Sequence, residues 1–314
     1  MRNCAEFDYS NARVALLIGT DEGPVAINFG GHSMVSKLRR VMICDPAIAG
    51  WKQPQRWREL GYLHAPDFSL ATQQHTAMRR ELASAGAEIV TLDPVDGFSL
   101  DAVYVHDASF MTDFGTVCLA MGKPSRSGEP GRHHEQYQRL GIPLLGEIQP
   151  PGTAEAGDVV WLDQHSVLVG RGYRTNAAGI EQLSALLSSH GIEVLSAPLP
   201  HSSGPGCCLH LMSLMSLLDE QTALVDLPWL AVETIELLRL RGFNLIEIDA
   251  TERDSLACNV LALGERRLLA LEENRRTNQR LSAAAFQVQT FPGSEIGING
   301  GGGPTCLTRP LWRM

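Results

Sequence analysis

Four side chains able to make or break bonds stand out by where they fall. Asp107 closes the run Asp101-Ala102-Val103-Tyr104-Val105-His106-Asp107, and Glu155 opens Glu155-Ala156-Gly157-Asp158-Val159-Val160-Trp161. His210 sits in Cys207-Cys208-Leu209-His210-Leu211-Met212, and Cys306 follows Gly300-Gly301-Gly302-Gly303-Pro304-Thr305. Each polar group lies in apolar company, where burial without a partner costs about 1–3 kcal/mol. Singly, each has a plainer account: a strand-end carboxylate, a turn with a glycine, a satisfied core histidine, a buried cysteine in a tail. Together they describe one kind of chemistry. A cysteine and a histidine remote in sequence can form a nucleophile–base pair, while two carboxylates hold a cation. The glycine run lets backbone approach a ligand closely, but no Gly-Lys-Ser/Thr follows, so it is not a phosphate loop. Cys207 and Cys208 find no further ligands at zinc-like spacing. Arg126, in Pro124-Ser125-Arg126-Ser127-Gly128-Glu129, and Arg174, in Gly172-Tyr173-Arg174-Thr175-Asn176, are suited to bidentate capture of a carboxylate; solvated loop arginines are the alternative.

Residues this far apart need a fold that gathers them. Val41–Cys44 reads as a strand, followed by a helix over Gln73–Ser84 and a strand over Glu88–Leu92. A strand–strand–helix–strand order then recurs. The second unit is Val103–His106, Thr116–Met121, helix Arg132–Leu140 and Pro143–Ile148. The third is Asp158–Leu162, Ser166–Gly170, helix Ala177–His190 and Ile192–Ser196. The fourth is Leu209–Met215, Thr222–Asp226, helix Trp229–Arg241 and Asn244–Ile248. The fifth is Asn259–Leu263, Arg267–Leu271, helix Asn274–Ala285 and Phe286–Phe291. The period is roughly 50–60 residues, which is propeller-like. Gly86, Gly141, Gly191 and Gly242 fall where left-handed helix caps are expected. Such units cannot bury their apolar faces alone, so the pattern predicts an α/β fold closed around a pseudo-fivefold axis; an open α/β sheet is the rival. Asp107, Glu155 and His210 lie near unit starts and Cys306 near the end of the ring, so closure would bring all four to one pocket.

Composition narrows the function classes. The 314 residues are 44% hydrophobic and 19% charged, enough to bury a sizeable core. No apolar run approaches the ~18 residues a membrane span needs, and the N-terminus lacks the basic start and long apolar stretch of a signal peptide. A net charge of −9 with no basic cluster argues against nucleic acid and anionic membranes as partners, and suits a small cationic substrate. Seven irregularly spaced cysteines fit reduced thiols and a cytoplasmic location.

These residues resemble the guanidino-modifying enzymes of the pentein fold, and within them the dimethylarginine dimethylaminohydrolase-like branch. The resemblance runs from about Lys37 to Arg313. It is carried by Val103–Asp107, the Ser125–Glu129 loop, Glu155–Asp158, Gly172–Asn176, Leu209–Leu211 and Pro304–Cys306. It implies a five-bladed α/β propeller as one catalytic domain over 37–314, preceded by a segment over 1–36. It also implies catalytic Cys306, His210, Glu155 and Asp107, with the two acids on the guanidinium, and Asp101, Arg126 and Arg174 as substrate-binding residues. No metal or organic cofactor is expected, and a homo-oligomer is allowed but not specified. The implied reaction converts an Nω-methylarginine to citrulline and an alkylamine through a covalent cysteine thiouronium. Deimination, dihydrolase or amidinotransferase chemistry on the same site, and a non-catalytic binding pentein, are the alternatives. The chain departs from the family pattern at His106, where Arg or Glu is common, at Ala156, where a second glycine is usual, and in its unbroken glycine run, which in some relatives includes an aspartate.

Overall fold

Five three-stranded sheets, each holding one antiparallel pair and one parallel neighbour, make up the computed structural model, which describes residues 28–94 and 98–314. The second blade shows the plan. Strands β3 (Ser109–Thr112) and β4 (Gly115–Cys118) form a tight hairpin, α3 (Glu129–Arg139) crosses back, and β5 (Leu144–Glu147) pairs parallel with β4. The third blade repeats it with β6 (Val159–Asp163), β7 (Ser166–Arg171), α4 (Ala177–Ser188) and β8 (Glu193–Pro198). The fourth uses β9 (Met215–Asp219), β10 (Thr222–Val225), α5 (Val232–Leu240) and β11 (Asn244–Glu247). The fifth uses β12 (Leu261–Gly264), β13 (Arg267–Leu271), α6 (Arg275–Ala283) and β14 (Gln287–Phe291).

The first blade closes the ring. Its β1 (Leu38–Ile43) and β2 (Glu88–Thr91) are parallel across α1 (Trp57–Leu60) and α2 (Phe68–Ser84). Its antiparallel partner is β15 (Arg309–Arg313), contributed by the C-terminus. That strand is additional to the strands expected from the pattern. Of the segment expected over 1–36, residues 1–27 lie outside the described residues. Gly30 bridges Trp312, and Gly30 N donates to Leu311 O at 2.8 Å.

Burial explains why the units must pack together. The first two strands of each blade are almost wholly buried, while the third strands are half-buried, with exposed residues at their ends. Helices fill the seams between blades: α2 packs on β14 of the fifth blade, α5 on β8 and α6 on β11. The four expected cap glycines all have positive φ, from 69° to 85°.

Two expected strands are differently built, and both carry site residues. Val103–His106 is not a strand. A 3-10 turn spans Leu100–Val103, and β3 starts only at Ser109. Likewise His210 precedes a 3-10 turn over Leu211–Ser213, and β9 starts at Met215. A short apolar run does not separate a strand from a buried turn. Here local acceptors take the N–H groups: Tyr104 N donates to Asp101 O (2.8 Å) and Ser213 N to His210 O (2.9 Å).

Candidate active site

The same position in successive blades supplies the site. Asp107 precedes β3, Glu155 precedes β6, His210 precedes β9, Asn259 precedes β12 and Cys306 precedes β15. Residues separated by up to two hundred positions therefore meet where the first strands begin. His210 Nε2 donates to Glu155 Oε2 at 2.7 Å, and its Nδ1 lies 3.9 Å from Asp107 Oδ1. Cys208 Sγ is 3.7 Å from the same Nδ1. Asp107, Glu155 and His210 are all buried, and their donor atoms lie within 4.8 Å of one another. That density would let them share one cation, metallic or organic.

Backbone and neighbouring acids fix these side chains. Asp107 Oδ1 accepts from Gly157 N at 3.1 Å, and Ala156 N donates to Asp107 O at 3.0 Å. Gly157 has to be glycine, because a Cβ there would come within 2.5 Å of His210 Nδ1 and 2.9 Å of Asp107 Oδ1. Asp158, fully buried, accepts from Leu211 N at 2.8 Å and from Thr175 Oγ1 at 2.6 Å, tying the third blade to the turn that carries His210. Lys123 N donates to Glu155 Oε1 at 3.1 Å.

Cys306 is held by its own set of contacts. Its carbonyl accepts from His106 N (3.1 Å), and Asn259 Nδ2 donates to its Sγ (3.1 Å). Asn259 Oδ1 in turn accepts from Thr305 N at 2.9 Å. At Gly302 a Cβ would approach Tyr104 Cδ1 to 2.5 Å and the Cys306 Cβ to 3.0 Å, so the glycine run packs a loop tightly under the thiol. Asn259 escaped the sequence reasoning. Its signal was present, since it is the polar residue opening the fifth unit.

Charge inside this pocket is uneven. Burial pushes the Cys306 thiol up to about 12; Asp107 adds to the rise, and His210 and the Asn259 hydrogen bond oppose it. Burial would lower the His210 pKa, but Cys208, Asp107 and Asp158 hold it well above the usual histidine value. Burial acts upward on Asp107, yet His210 and Arg126 bring it below the ordinary carboxylate range. Glu155 is also lowered, its burial outweighed by the hydrogen bond and charge of His210. Free of substrate, the pocket is thus an imidazolium between two carboxylates, beside a neutral thiol.

The remaining expected residues surround this centre. Arg174 Nη1 lies 3.3 Å from Glu155 Oε1. Arg126, expected on a substrate carboxylate, is placed between two protein acids. Its Nη1 donates to Asp107 Oδ2 (2.6 Å), its Nε and Nη2 to Glu129, and Nη2 also to Tyr104 O (2.7 Å). Asp101 Oδ2 lies 2.6 Å from Lys123 Nζ, which donates to Leu60 O at 2.7 Å. His106 is buried, with Nδ1 donating to Thr308 O at 2.9 Å, and burial takes its pKa down to about 3. It is therefore neutral, unlike the Arg or Glu common at this position.

Comparisons with known proteins identify the family of the chain. A family model described as N,N dimethylarginine dimethylhydrolase, eukaryotic, matches residues 67–313. The N(G),N(G)-dimethylarginine dimethylaminohydrolase of Pseudomonas aeruginosa is 30% identical over 249 residues, spanning 79% of this chain and 91% of that one. A structure of the P. aeruginosa enzyme, a cysteine-to-serine variant complexed with citrulline, superimposes with a TM-score of 0.72 at 26% identity. It covers 88% of this chain and 100% of that one. The product-bound N-terminal domain of a cyanobacterial arginine dihydrolase shares the fold at a TM-score of 0.76 and 20% identity, over 88% of this chain and 98% of that one. Among the described residues no helix is long and apolar enough to cross a membrane. With five α/β blades, converging site residues and a family match over most of its length, the chain belongs to the dimethylarginine dimethylaminohydrolase family, pentein-fold enzymes that hydrolyse amidine groups.

Proposed function

We propose that this chain hydrolyses an Nω-methylated arginine to citrulline and an alkylamine, with Cys306 as nucleophile and His210 as acid and then base. The supporting observation is the trio Asp107, Glu155 and His210, buried with donor atoms within 4.8 Å of one another, beside a thiol that ionises poorly unless a cation arrives. A guanidinium is a weak electrophile because its charge is delocalised, so it needs a thiolate rather than a hydroxyl. Its N–H groups would face Asp107 and Glu155, which hold its carbon against Cys306. The bound cation lowers the thiol pKa by direct attraction.

Cys306 gives up its proton to solvent, because His210 is already protonated, and thiolate attack forms a C–S bond and a tetrahedral adduct. His210, protonated in the free pocket, gives its proton to the departing alkylamine as the C–N bond breaks. A planar thiouronium remains. Now neutral, His210 takes a proton from water, the hydroxide adds to the carbon, and the C–S bond breaks to release citrulline and restore the thiol. Arg174 would meet the substrate carboxylate. Arg126 acts through Asp107 as a positioning residue, since its nitrogens already donate to the protein. Asp101 would meet the substrate's ammonium group only in competition with Lys123.

Product analysis tests the reading. Asymmetric dimethylarginine, monomethylarginine and arginine are supplied in turn, with and without an amine acceptor. Citrulline with methylamine or dimethylamine supports it. Ammonia from arginine as the preferred reaction points to deimination, and a new guanidino product on the acceptor points to amidino transfer. Both results reject it.

A further inference from the structure

Two buried arginines of β15 form no ion pair with any acid among the described residues. Arg309 and Arg313, at the two ends of β15, are 6% and 5% exposed. Arg309 Nη1 donates to His106 O (3.1 Å) and Ser109 O (2.7 Å), and Arg313 Nη1 donates to Ser36 O (2.6 Å). Among the described residues neither forms an ion pair, whereas buried Arg126 meets two carboxylates. Arg309 Nε and Arg313 Nη2 are buried without any hydrogen-bond partner. A buried guanidinium keeps its proton at neutral pH and strongly favours a counter-charge. Burial takes Arg309 down to about 10, and burial together with the charge of Arg309 takes Arg313 down to about 9.

A cavity of about 20 Å³ is lined by both Arg309 and Arg313. Its other walls include Ser33, Met34, Phe110 and Trp161. The Ser33 hydroxyl oxygen accepts from Val35 N (3.0 Å) and Ser36 N (2.9 Å), which leaves its proton available to a ligand. The cavity walls come from β3, β6, β15 and the segment Gly30–Met34. A volume of this size takes a body of about the size of one water, which excludes sulfate, phosphate and organic carboxylates. Mostly apolar walls favour an anion content with few donors. We propose that Arg309 and Arg313 form a halide site, occupied by chloride, that offsets part of their buried positive charge.

The site is linked to the catalytic pocket through backbone. Arg309 grips the carbonyls of His106 and Ser109, which bracket Asp107, and His106 N holds the Cys306 carbonyl. Chloride would therefore steady the floor on which acid and thiol are set. This does not depend on which guanidino compound is the substrate.

The test uses the full chain exchanged into sodium gluconate and titrated with chloride, bromide, sulfate or gluconate at constant ionic strength. Thermal unfolding should show a saturable Tm rise of at least about 2 °C with chloride and bromide, absent with sulfate and gluconate. In crystals grown in bromide, anomalous scattering should place a peak between Arg309 and Arg313. Arg313→Met should lose the halide response, with its Tm in gluconate no lower than that of the parent, because a buried charge has been replaced by an apolar group. Equal Tm values in all four salts would overturn the proposal. So would a bromide-soaked crystal without the peak, an outcome available even if the variant fails to fold.

Discussion

The Cys306 thiol should be almost unreactive toward neutral reagents until a cation enters the pocket. With its pKa pushed up to about 12 by burial and by Asp107, the thiolate share at pH 7 is about 10⁻⁵, against about 3 × 10⁻² for an unperturbed thiol. The more basic thiolate is a better nucleophile, and a Brønsted coefficient of about 0.45 returns roughly 40-fold. Iodoacetamide should therefore modify Cys306 about a hundredfold more slowly than it modifies free cysteine. Because the pKa is raised, the rate should climb about tenfold per pH unit from pH 6 to pH 10 without levelling. A chloroacetamidine carries its own positive charge into the space between Asp107 and Glu155. Opposite charge at close range shifts a pKa by about 1–3 units, and after the same Brønsted correction the cationic reagent should gain about 4- to 40-fold over its neutral analogue. Mass-resolved labelling over a pH series measures both, with Cys306→Ser as control for the other six cysteines, including exposed Cys208. A plateau for iodoacetamide below about pH 8.5 would refute the reasoning, because it would mean that His210 already holds a standing thiolate.

Four further outcomes follow from the contacts around the pocket. His210→Ala should stall after C–S bond formation when the substrate carries a good leaving group such as methanethiol, and intact-protein mass should show the adduct on Cys306; normal turnover would remove His210 from the mechanism. Arg174→Ala should raise KM for amino-acid substrates by about 10- to 100-fold, as expected for a charge-assisted pair, and leave a simple alkylguanidine nearly unaffected. Arg126→Ala should weaken both substrates alike and lower Tm, because Asp107 and Glu129 lose their shared cation, at a cost of about 3–5 kcal/mol. Lys123→Met should lower KM for substrates bearing an α-ammonium, since Asp101 is freed; an unchanged KM with a lower Tm would make the Lys123–Asp101 pair purely structural.

The fold was legible because each blade repeats the same conflict between apolar strands and a lone hairpin. Its helix stops were legible because four glycines take left-handed φ at helix ends. The turns carrying Asp107 and His210 were not, because the short apolar runs around them look the same whether their N–H groups feed a ladder or a 3-10 turn. The closing strand β15 was also hidden, since its residues pair with β1 from the other end of the chain. Within the site, Asp107, Glu155, His210 and Cys306 could be singled out as reactive types in apolar surroundings. The partners of Arg126 could not. Arginine in a loop is equally suited to a substrate carboxylate and to a protein one, and only the fold put Glu129 one helical turn away. Asn259 falls between these cases: its place at a unit start was visible, but an amide suggests no chemistry until the thiol lies 3.1 Å from it.

The arrangement of Arg126 explains how one carboxylate can serve both the fold and the proposed reaction. An ionised acid buried without partners would take a proton instead of remaining charged. Asp107 stays ionised because Oδ2 is held by Arg126 and Oδ1 by Gly157 N. Arg126 would by itself cancel the negative potential that opposes thiol ionisation and attracts the substrate. Glu129, on the far side of the guanidinium, restores that balance: Arg126 and Glu129 together are neutral, so Asp107 keeps its net effect on Cys306. Glu155 follows the same logic, with His210 and Arg174 as partners and Lys123 N as a further donor. The pocket therefore holds two carboxylates in their charged forms while the nearby thiol stays protonated. On the proposed mechanism, a guanidinium would reverse that preference on arrival, because it would satisfy both acids and supply the charge that the thiolate needs.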